Sequence, residues 1–362
     1  MPEVGIADID SERMDIALKL AERGWGQTAP NPMVGAVIYS GDEKVGEGFH
    51  ASFGSTHAEP GALAAAGERA RGGTMYVNLE PCNHHGRNPP CVDAIIAAGI
   101  SRVVVAVRDP NPPAAGGAER LRAAGIAVDS GVREAEAREL NAPFFAAVTS
   151  DRPWVVLKLA LSLDGAIAGV KRNRAWMTNE LSTAVVHRMR ANSDAVAVGV
   201  QTAIADDPQL TARTDPPPRT APVRLVFDRS ARLPATSLLA KTARELPTLL
   251  VTAWEAQLPD ELSSLGVESV GAQDVSEALQ TLKQRGINSV LVEGGAGLAA
   301  SFLAAGLVDR LVIFRAPLVL GEGALNAFSG VAAHDVEHAP RFTLLESRVL
   351  GDDTMTVYSA NR

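Results

Sequence analysis

The chain has 362 residues, a length that corresponds to two domains at roughly 150 residues per domain. Its 34 basic and 42 acidic residues give a formal net charge of −8, whereas an electrostatic nucleic-acid binder needs a basic balance. Apolar residues make up 46% of the chain and charged residues 21%, which argues against general disorder. No apolar run approaches the ~18–20 residues that span a bilayer.

The cysteine content and the N-terminus indicate the compartment. Two cysteines, Cys82 and Cys91, cannot build a disulfide framework and suit a reducing cytoplasm. The N-terminal segment MPEVGIADIDSER is acidic and lacks the apolar stretch of a signal peptide. We therefore expect a cytoplasmic protein that binds neither nucleic acid nor membranes.

The first half of the chain alternates helix-like and strand-like segments. Apolar spacing, proline and glycine positions and β-branched runs set their limits. The predicted segments are a helix at 11–23, a strand at 34–40, a helix at 60–70, a strand at 74–79, a helix at 91–98 ended by Gly99, and a strand at 102–107. Strands separated by helices predict an α/β domain with a sheet covered by helices, and this domain closes near residue 150.

The second half begins another series of strands. The predicted strands lie at 154–160, 195–200, 223–228, 248–253 and 289–293. The polar, proline-rich segment 206–222 is predicted to be a loop at an active site or on the surface. The tail predicts a hairpin, with strands at 341–350 and 354–359 joined at Gly351-Asp352-Asp353. The domain boundaries are therefore predicted at 1–150 and 151–362.

A histidine and two cysteines in the first half have the pattern of a catalytic zinc site. His57 is followed by Cys82 and then by Cys91, a set of three ligands that leaves a fourth position open. Zinc in such a site lowers the pKa of bound water to about 7, giving hydroxide at neutral pH. Glu59 is two residues from His57, where it can move protons without binding the metal. H-x-E…P-C-x-x-C is the signature of zinc nucleobase deaminases, although the cysteine spacing is wider here.

The alternative for these residues is that they are part of the core. A single histidine is usually structural, but both cysteines of the chain fall in this one window. Cys91 also opens a predicted helix, where a thiolate is favoured. We therefore favour the zinc site.

Several segments around these ligands resemble the bifunctional riboflavin-biosynthesis deaminase–reductase family. The family pattern is H-A-E followed by E-P-C-x-H-x-G-[RK]-x-P-P-C, and this chain has His57-Ala58-Glu59 and, at 80–91, EPCNHHGRNPPC. The segments APNPMVG (29–35) and DPNP (109–112) add to the resemblance, which spans nearly the whole chain. Pro60 and Asn83 depart from the residues usual in the family, and we expect the zinc site to tolerate both.

This resemblance implies a fold and a first activity. It implies a cytidine-deaminase-like three-layer domain followed by a dihydrofolate-reductase-like α/β domain, in a homo-oligomer. The implied first reaction is deamination of 2,5-diamino-6-(5-phosphoribosylamino)pyrimidin-4(3H)-one, with Glu59 as proton shuttle. By resemblance Asn31 binds the pyrimidine, while His84 and Arg87 bind the ribose phosphate. An arginine suits phosphate, although Arg87 could also be a solvated loop residue, as we expect for His85.

The residues at 293–301 are the clearest signal in the second half. Glu293-Gly294-Gly295 forms a glycine-rich turn between a predicted strand and the apolar helix 298–307. Such a junction offers backbone N–H groups and a helix dipole to a phosphate. It is not a complete G-x-G-x-x-G, so tight-turn glycines without a ligand remain the alternative.

The resemblance assigns this half to an NADPH-dependent reductase that converts the ribosyl group to ribityl. It rests on KLALSLDG (158–165), WMT (176–178), TAIADDPQLTAR (202–213) and EGGAG (293–297). Lys158 is implied to act on the ribose oxygen. The implied substrate contacts are Arg174, Arg190, Leu210, Arg213 and Glu293. The implied cofactor contacts are Ala160, Trp176, Thr202, Asp206, Gly295, Ala296, Gly297, Leu298, Ala299, Ala300 and Ser301.

One segment departs from the family. Lys171-Arg172-Asn173-Arg174-Ala175 replaces a small loop, and Arg174 stands where the family has a serine. Arg174 adds a phosphate contact or crowds the site. The alternatives are therefore a deaminase whose second half binds a dinucleotide or phosphosugar without turnover, or a nucleic-acid or free-base deaminase with an unrelated second half. The acidic charge and 4% aromatic content disfavour the last of these.

Overall fold

The computed structural model describes residues 6–85, 89–171 and 176–361, which fall into two compact units that divide between Thr149 and Ser150. In the first unit, the described helices are α1 (Ile6–Ala21), α2 (Ala58–Ala66), α3 (Cys91–Ala98), α4 (Gly117–Ala123), α5 (Glu134–Leu140) and α6 (Ala142–Thr149). Its strands are β1 (Gly35–Ser40), β2 (Glu43–Phe49), β3 (Thr74–Leu79), β4 (Arg102–Val107) and β5 (Ala127–Ser130).

The first unit is a sheet between two layers of helices. Its strand order is β2-β1-β3-β4-β5; β1 pairs antiparallel with both β2 and β3, whereas β3, β4 and β5 run parallel. Ala62 of α2 and Ile95 of α3 belong to the core on one face, and Met14 and Ala17 of α1 to the core on the other. The predicted three-layer α/β fold is confirmed.

Strand β2 was not predicted from the sequence because it reads EKVGEGF, with charges and glycines that disfavour strands. The glycines are required by packing. A Cβ on Gly48 would lie 2.4 Å from the carbonyl oxygen of Ala58, so only glycine lets β2 lie directly against α2. Two helix limits also differ: α1 starts earlier than predicted, and α2 ends at Ala66 and continues as a 3₁₀ turn at Gly67–Ala70.

The second unit is larger. Its described helices are α7 (Glu180–Ala191), α8 (Val200–Asp206), α9 (Leu238–Lys241), α10 (Asp260–Ser264), α11 (Val275–Gln284) and α12 (Ala296–Ala304). Its strands are β6 (Trp154–Leu161), β7 (Ala166–Ala168), β8 (Ala195–Gly199), β9 (Val223–Phe227), β10 (Thr248–Thr252), β11 (Glu268–Gly271), β12 (Ser289–Glu293), β13 (Arg310–Arg315), β14 (Leu325–Asn326), β15 (Phe342–Leu350) and β16 (Asp353–Ala360).

The described strands of this unit form one large sheet and a small ribbon. The order in the large sheet is β11-β10-β9-β8-β12-β6-β13-β16-β15, and the ribbon pairs β7 with β14. The strands from β11 to β13 are parallel, so their carboxyl ends share one edge, where open α/β sheets bind ligands. The predicted C-terminal hairpin is confirmed by the antiparallel pairing of β15 and β16, whereas β13 was not predicted.

Helices cover both faces of the parallel part of this sheet. Leu279 of α11 and Phe302 of α12 are buried on one face, and Leu239 of α9 and Leu262 of α10 on the other. Helix α12 begins at Ala296, two residues earlier than predicted, so the turn 293–295 leads directly into it. Among the described helices, none has the length and apolar character needed to cross a membrane.

Candidate active sites

The predicted zinc ligands converge in the first unit. His57 is the N-cap of α2, Cys91 is the first residue of α3, and Cys82 lies on the segment after β3. The Nδ1 atom of His57 is 3.2 Å from Sγ of Cys91 and 3.6 Å from Sγ of Cys82. The three ligand atoms lie within 4.8 Å of one another, which fits a tetrahedral metal site with an open position.

The helix start at Cys91 stabilises a thiolate at Cys82. The backbone N–H of Cys91 donates to Sγ of Cys82 at 3.4 Å. Hydrogen bonds from Cys91 and from His57 lower the pKa of the Cys82 thiol to about 4. The pKa of Cys91 is raised, first by its hydrogen bond to Cys82 and then by burial. Since both sulfur atoms must be deprotonated to bind zinc, metal binding releases protons here.

Glu59 lies in the first turn of α2, beside the ligands but outside the set of three. Glu59 is 3% exposed, and its carboxyl group shares a hydrogen bond with the thiol of Cys91. Burial, followed by the charge of Cys82, raises the pKa of Glu59 to about 7. A carboxyl group with that pKa both accepts and releases protons at neutral pH, as general acid–base chemistry requires.

A cavity of about 280 Å³ opens next to these residues. Asn31 and His84 line it together with His57, Glu59 and Cys82. The imidazole Nδ1 of His84 is buried and has no hydrogen-bond partner among the described residues. An orphaned polar atom on a cavity wall is suited to a ligand, because it otherwise costs free energy.

The cavity also contains residues that the sequence analysis did not single out. His50 lies 3.2 Å from the amide nitrogen of Asn31 and is 3% exposed, and burial lowers its pKa. Asp109 and Asn111 also line the cavity, and burial raises the pKa of Asp109 to about 6. Asp109 and Asn111 belong to the DPNP segment (109–112), which contributed to the family resemblance. That resemblance was the sequence signal that could have placed them in the site. For His50, a lone histidine at the end of a glycine-rich strand, no sequence signal was present.

Two predicted substrate contacts cannot be placed. Arg87 falls in 86–88 and Arg174 in 172–175, both outside the described residues. Their assignments therefore remain predictions.

The second unit contains a cleft of about 1390 Å³ at the carboxyl edge of its parallel strands. Its lining includes most of the predicted reductase residues: Lys158, Ala160, Trp176, Arg190, Thr202, Asp206, Leu210, Arg213, Glu293, Gly295, Ala296, Gly297, Leu298 and Ser301. Ala299 and Ala300, which the prediction included, are buried on α12 and are not part of the lining. They differ because α12 presents one face to the cleft and the other to the core.

Glu293 is the centre of a buried ion network in this cleft. Its carboxylate accepts two hydrogen bonds from Arg190, the one from Nη2 at 2.9 Å, and lies 3.9 Å from Nζ of Lys158. Burial opposes ionisation, but Arg190 and then Lys158 hold the pKa of Glu293 below its usual value. Burial lowers the pKa of Lys158. An ammonium with a lowered pKa next to a carboxylate is suited to donating a proton.

A strained loop forms the neighbouring wall. Leu210 has φ of +54° and Asp207 φ of +39°, in the left-handed region that residues with side chains rarely adopt. The loop is held by α7, because Arg190 Nη1 donates to the carbonyl oxygen of Thr211 at 3.0 Å. His187, also on α7 and absent from the predicted site, contacts both Thr211 and Arg213.

The start of α12 gives the cleft its glycine-lined wall. Gly295 is the N-cap of α12 with φ of +80°, and a Cβ there would lie 2.8 Å from Oγ1 of Thr202. A Cβ on Gly294 or Gly297 would meet no described atom within 4 Å, so the backbone is open to a ligand on this side. Backbone N–H groups at a helix start are suited to a phosphate or pyrophosphate.

Family models match both units. The model described as the cytidine and deoxycytidylate deaminase zinc-binding region matches residues 7–107. The model described as the RibD C-terminal domain matches residues 153–356, more than half of the chain.

Full-length relatives and solved structures are similar over the whole chain. The riboflavin biosynthesis protein RibD of Aquifex aeolicus is 42% identical, with 98% of this chain and 99% of that protein covered. The Escherichia coli RibD is 39% identical, with 95% and 97% covered. The structure of Acinetobacter baumannii RibD has a TM-score of 0.86 at 39% identity, covering 98% of this chain and 100% of that one. The Thermotoga maritima diaminohydroxyphosphoribosylaminopyrimidine deaminase/5-amino-6-(5-phosphoribosylamino)uracil reductase also has a TM-score of 0.86, at 36% identity, covering 99% and 100%.

Proposed function

Because this chain belongs to the RibD family of riboflavin-biosynthesis enzymes, we propose that residues 1–150 carry its deaminase activity and residues 151–362 its reductase activity. The chain is a bifunctional enzyme, a zinc-dependent deaminase and an NADPH-dependent reductase. A second half that binds without turnover is not favoured, because the RibD C-terminal domain match and the full-length relatives cover it. The observation that carries the division of labour is that each unit contains a separate cavity with its own chemistry.

The proposed substrate of the first unit is diaminohydroxyphosphoribosylaminopyrimidine, which is deaminated to 5-amino-6-(5-phosphoribosylamino)uracil. The Thermotoga maritima relative is described by both compounds. The proposed second reaction is reduction of the ribosyl group of that uracil to ribityl. A cavity of about 280 Å³ is suited to a pyrimidine ring, with the ribose phosphate extending beyond it.

In the deaminase, His57, Cys82 and Cys91 would hold zinc, because two thiolates and an imidazole are the donors that this metal prefers. When bound, zinc supplies a Lewis acid that makes water nucleophilic at neutral pH. Glu59 accepts a proton from the attacking water and delivers it to the departing amine. Its burial supports this role, because it raises the pKa of Glu59 to about 7, where the carboxyl group both accepts and releases protons at neutral pH.

Two residues of the small cavity, Asn31 and His84, are proposed to bind the substrate of the first reaction. Asn31 offers a donor and an acceptor to the pyrimidine, and His50 orients that amide through their contact of 3.2 Å. His84 binds the ribose phosphate end, since its buried Nδ1 otherwise has no partner among the described residues. Arg87 is proposed to bind the phosphate on chemical grounds alone.

In the reductase, Lys158 is proposed to donate a proton to the ribose oxygen as the ring opens. Glu293 keeps the ammonium of Lys158 in place, since their charged atoms are 3.9 Å apart. The guanidinium groups of Arg190 and Arg213 bind the substrate, with Leu210 packing beside it on the strained loop. Arg174 is proposed as an additional phosphate contact.

The same cleft is suited to NADPH, which supplies the hydride when bound. The glycine-lined start of α12, from Gly295 to Ser301, is proposed to hold its pyrophosphate. Trp176 is 68% exposed on the cleft and offers an aromatic face to the cofactor. The proposed remaining contacts are Ala160, Thr202 and Asp206.

We further propose that the enzyme is a cytoplasmic homo-oligomer. Strand β15 is one of the two edge strands of the large sheet among the described strands, and most of its residues are exposed, including the apolar Leu344 and Val349. An exposed apolar edge strand invites pairing with another chain. A cytoplasmic location is supported by the free thiols of both cysteines, which zinc binding requires. Light scattering of the purified protein and of Val349→Lys tests the association.

The function is tested by following ammonia release and NADPH absorbance together. With the diaminopyrimidine substrate, we expect both signals, and a zinc chelator should abolish both because the second reaction lacks its substrate. With the phosphoribosylaminouracil supplied directly, NADPH oxidation should continue in the presence of chelator. Ammonia release from the diaminopyrimidine, with no NADPH oxidation from either substrate, would refute the reductase assignment.

A further inference from the structure

His187 is a buried histidine on the face of α7 that meets the strained loop at 207–213 in the wall of the cleft. None of the roles assigned above includes it. The residue is 7% exposed. Its Nδ1 atom is 3.2 Å from the carbonyl oxygen of Thr211, and its Nε2 atom is 3.1 Å from Nε of Arg213. It therefore contacts the loop at two neighbouring residues, one through the backbone and one through a side chain.

These contacts fix the tautomer of the imidazole. The Nε–H of an arginine can only donate, so Nε2 of His187 must be the unprotonated acceptor. The proton is then on Nδ1, where it donates to Thr211. The backbone N–H of Arg213, 3.2 Å from Nδ1, cannot donate to it in this tautomer. The opposite tautomer satisfies one of the three contacts instead of two, so the first is favoured.

His187 belongs to a continuous set of contacts that reaches Glu293. Arg190 is one turn further along α7, where it pairs with Glu293 and donates to the same Thr211 carbonyl oxygen as His187. The other end of the loop is held by Asp207, whose carboxylate accepts from the backbone N–H of Leu238 at 2.7 Å. Left-handed backbone at Leu210 persists only where surrounding contacts enforce it, and these are such contacts.

The contact to His187 uses only Nε of Arg213, so the two terminal amino groups of the guanidinium are not engaged by the imidazole. Arg213 is an exposed residue of the cleft wall, and in the part of the chain that the structure describes those two groups have no hydrogen-bond partner. A guanidinium held at Nε with both Nη groups free presents the fork that binds a phosphate bidentately.

We propose that His187 is a positioning residue of the reductase, which in its neutral Nδ1–H form holds the Arg213 guanidinium ready for the substrate phosphate. The inference rests on the proposed function, in which Arg213 binds that phosphate. Preorganising a flexible arginine lowers the entropy lost on binding, so His187 acts on substrate affinity more than on the chemical step.

This arrangement has a pH dependence with a definite sign. Burial lowers the pKa of His187, and the charges of Arg190 and Arg213, which face it, lower it further. The Thr211 carbonyl and the charge of Glu293, which face it as well, oppose this shift. Below that pKa, Nε2 gains a proton and meets the Nε–H of Arg213 donor to donor. Substrate affinity should therefore fall on acidification as His187 becomes charged, and because its pKa is lowered the fall should take place below the ordinary histidine pKa of about 6.5.

Two variants separate the contacts of the imidazole. His187→Gln places a non-titrating carbonyl oxygen near the position of Nε2 and keeps an acceptor for Arg213. His187→Asn places an amide near Nδ1, keeping the donor to Thr211 and losing the acceptor. NADPH oxidation is measured with phosphoribosylaminouracil on the full zinc-loaded chain. We expect His187→Asn to raise the KM for this substrate about 5- to 10-fold with kcat little changed. His187→Gln should stay near wild type and lose the rise in KM at acidic pH.

Further variants separate the failure of this inference from the failure of its premise. Arg213→Gln should raise the same KM about 10- to 100-fold. If it does not, Arg213 does not bind the phosphate and the proposed function is wrong at that residue. If Arg213→Gln raises KM as expected, His187→Asn is then added to it. If His187→Asn raises KM in that background by the same factor as in the wild type, His187 acts independently of Arg213 and the inference is overturned.

A packing control removes the remaining ambiguity. Val186, next to His187 on α7, is buried in a core that does not include the loop. Val186→Ala should lower the melting temperature while leaving KM and its pH dependence unchanged. If Val186→Ala shifted the pH dependence as His187→Asn does, a merely structural role would explain both, and the positioning role would be rejected.

Discussion

The two sites of this chain differ in how their residues are arranged along the sequence and in how their charges are balanced. In the first unit, the zinc ligands and Glu59 come from two helix starts and one intervening segment. In the second unit, Lys158, Arg190 and Glu293 come from β6, α7 and β12, which are far apart in sequence and adjacent in the fold. The first site is a local motif, whereas the second exists only because of the sheet topology.

Their electrostatics differ in the same sense. The groups of the zinc site share protons, since the pKa of Cys82 is lowered while those of Cys91 and Glu59 are raised. The groups of the second cleft are held as ion pairs. The pKa of Glu293 lies below its usual value, and its carboxylate pairs with the cations of Arg190 and Lys158. The first site is therefore arranged to bind a metal and move protons, and the second to hold charged ligands in place.

The largest expected effect is on proton transfer in the first site. Glu59→Gln keeps the size of the side chain and removes its proton exchange, so deamination should fall about 100- to 10,000-fold. Zinc content, measured by atomic absorption, should be unchanged, because Glu59 is not one of the three ligands. Reduction of the supplied uracil substrate should also be unchanged. Loss of zinc from this variant would instead indicate that Glu59 supports the metal.

The next effect is on the ion network of the second site. Glu293→Gln leaves the buried Arg190 without its carboxylate, which should cost about 3–5 kcal/mol of unfolding free energy. The kcat/KM of NADPH oxidation should fall about 100-fold or more, since Lys158 loses its partner as well. Deamination should be retained, because the two sites share no residue. Denaturant unfolding and both assays check this, and an unchanged reductase would contradict the role of the network.

A smaller effect concerns the cofactor wall. Gly295→Ala places a Cβ 2.8 Å from Oγ1 of Thr202 on backbone with φ of +80°, so we expect the KM for NADPH to rise about 10-fold. Gly286→Ala is the matched control, since its φ of +83° imposes the same backbone strain and its Cβ would meet no described atom within 4 Å. Equal KM values in the two variants would mean that strain alone, and not the cleft, explains the effect.

The smallest expected effect is on stability at Asp10, which belongs to neither site. Asp10 accepts two hydrogen bonds from Arg102 and one from Tyr76, and Arg102 lowers its pKa. A lowered pKa in the folded state stabilises the protein above the ordinary aspartate pKa, and the contribution is lost as the pH falls through the folded value. Asp10→Asn should cost about 2 kcal/mol at pH 7 and little once the pH is below the folded pKa of Asp10, in thermal unfolding measured against pH. Both activities should be unchanged at 25 °C.

Much of the fold follows from local sequence patterns, and the exceptions have physical reasons. The strands at Thr74–Leu79, Arg102–Val107 and Ser289–Glu293 were predicted at their observed limits, because β-branched runs in buried strands need no tertiary information. Strand β2 was missed because its glycines serve close packing against α2 rather than strand propensity. Ala299 and Ala300 are buried on α12 and are not part of the cleft lining, since a linear segment does not show which face of a helix meets the core. Their cofactor contacts therefore stay a prediction.

The sequence by itself determined the zinc ligands and the two-domain α/β organisation, and it predicted the acid–base role of Glu59. These depend on residue types at short spacing and on helix starts that local signals mark. Only the tertiary structure brought His50 against Asn31, joined Glu293 to Arg190 and Lys158, and placed His187 between Thr211 and Arg213. Such contacts join distant elements, and the strand order of a sheet is decided by how whole layers pack, which no single segment of the sequence encodes.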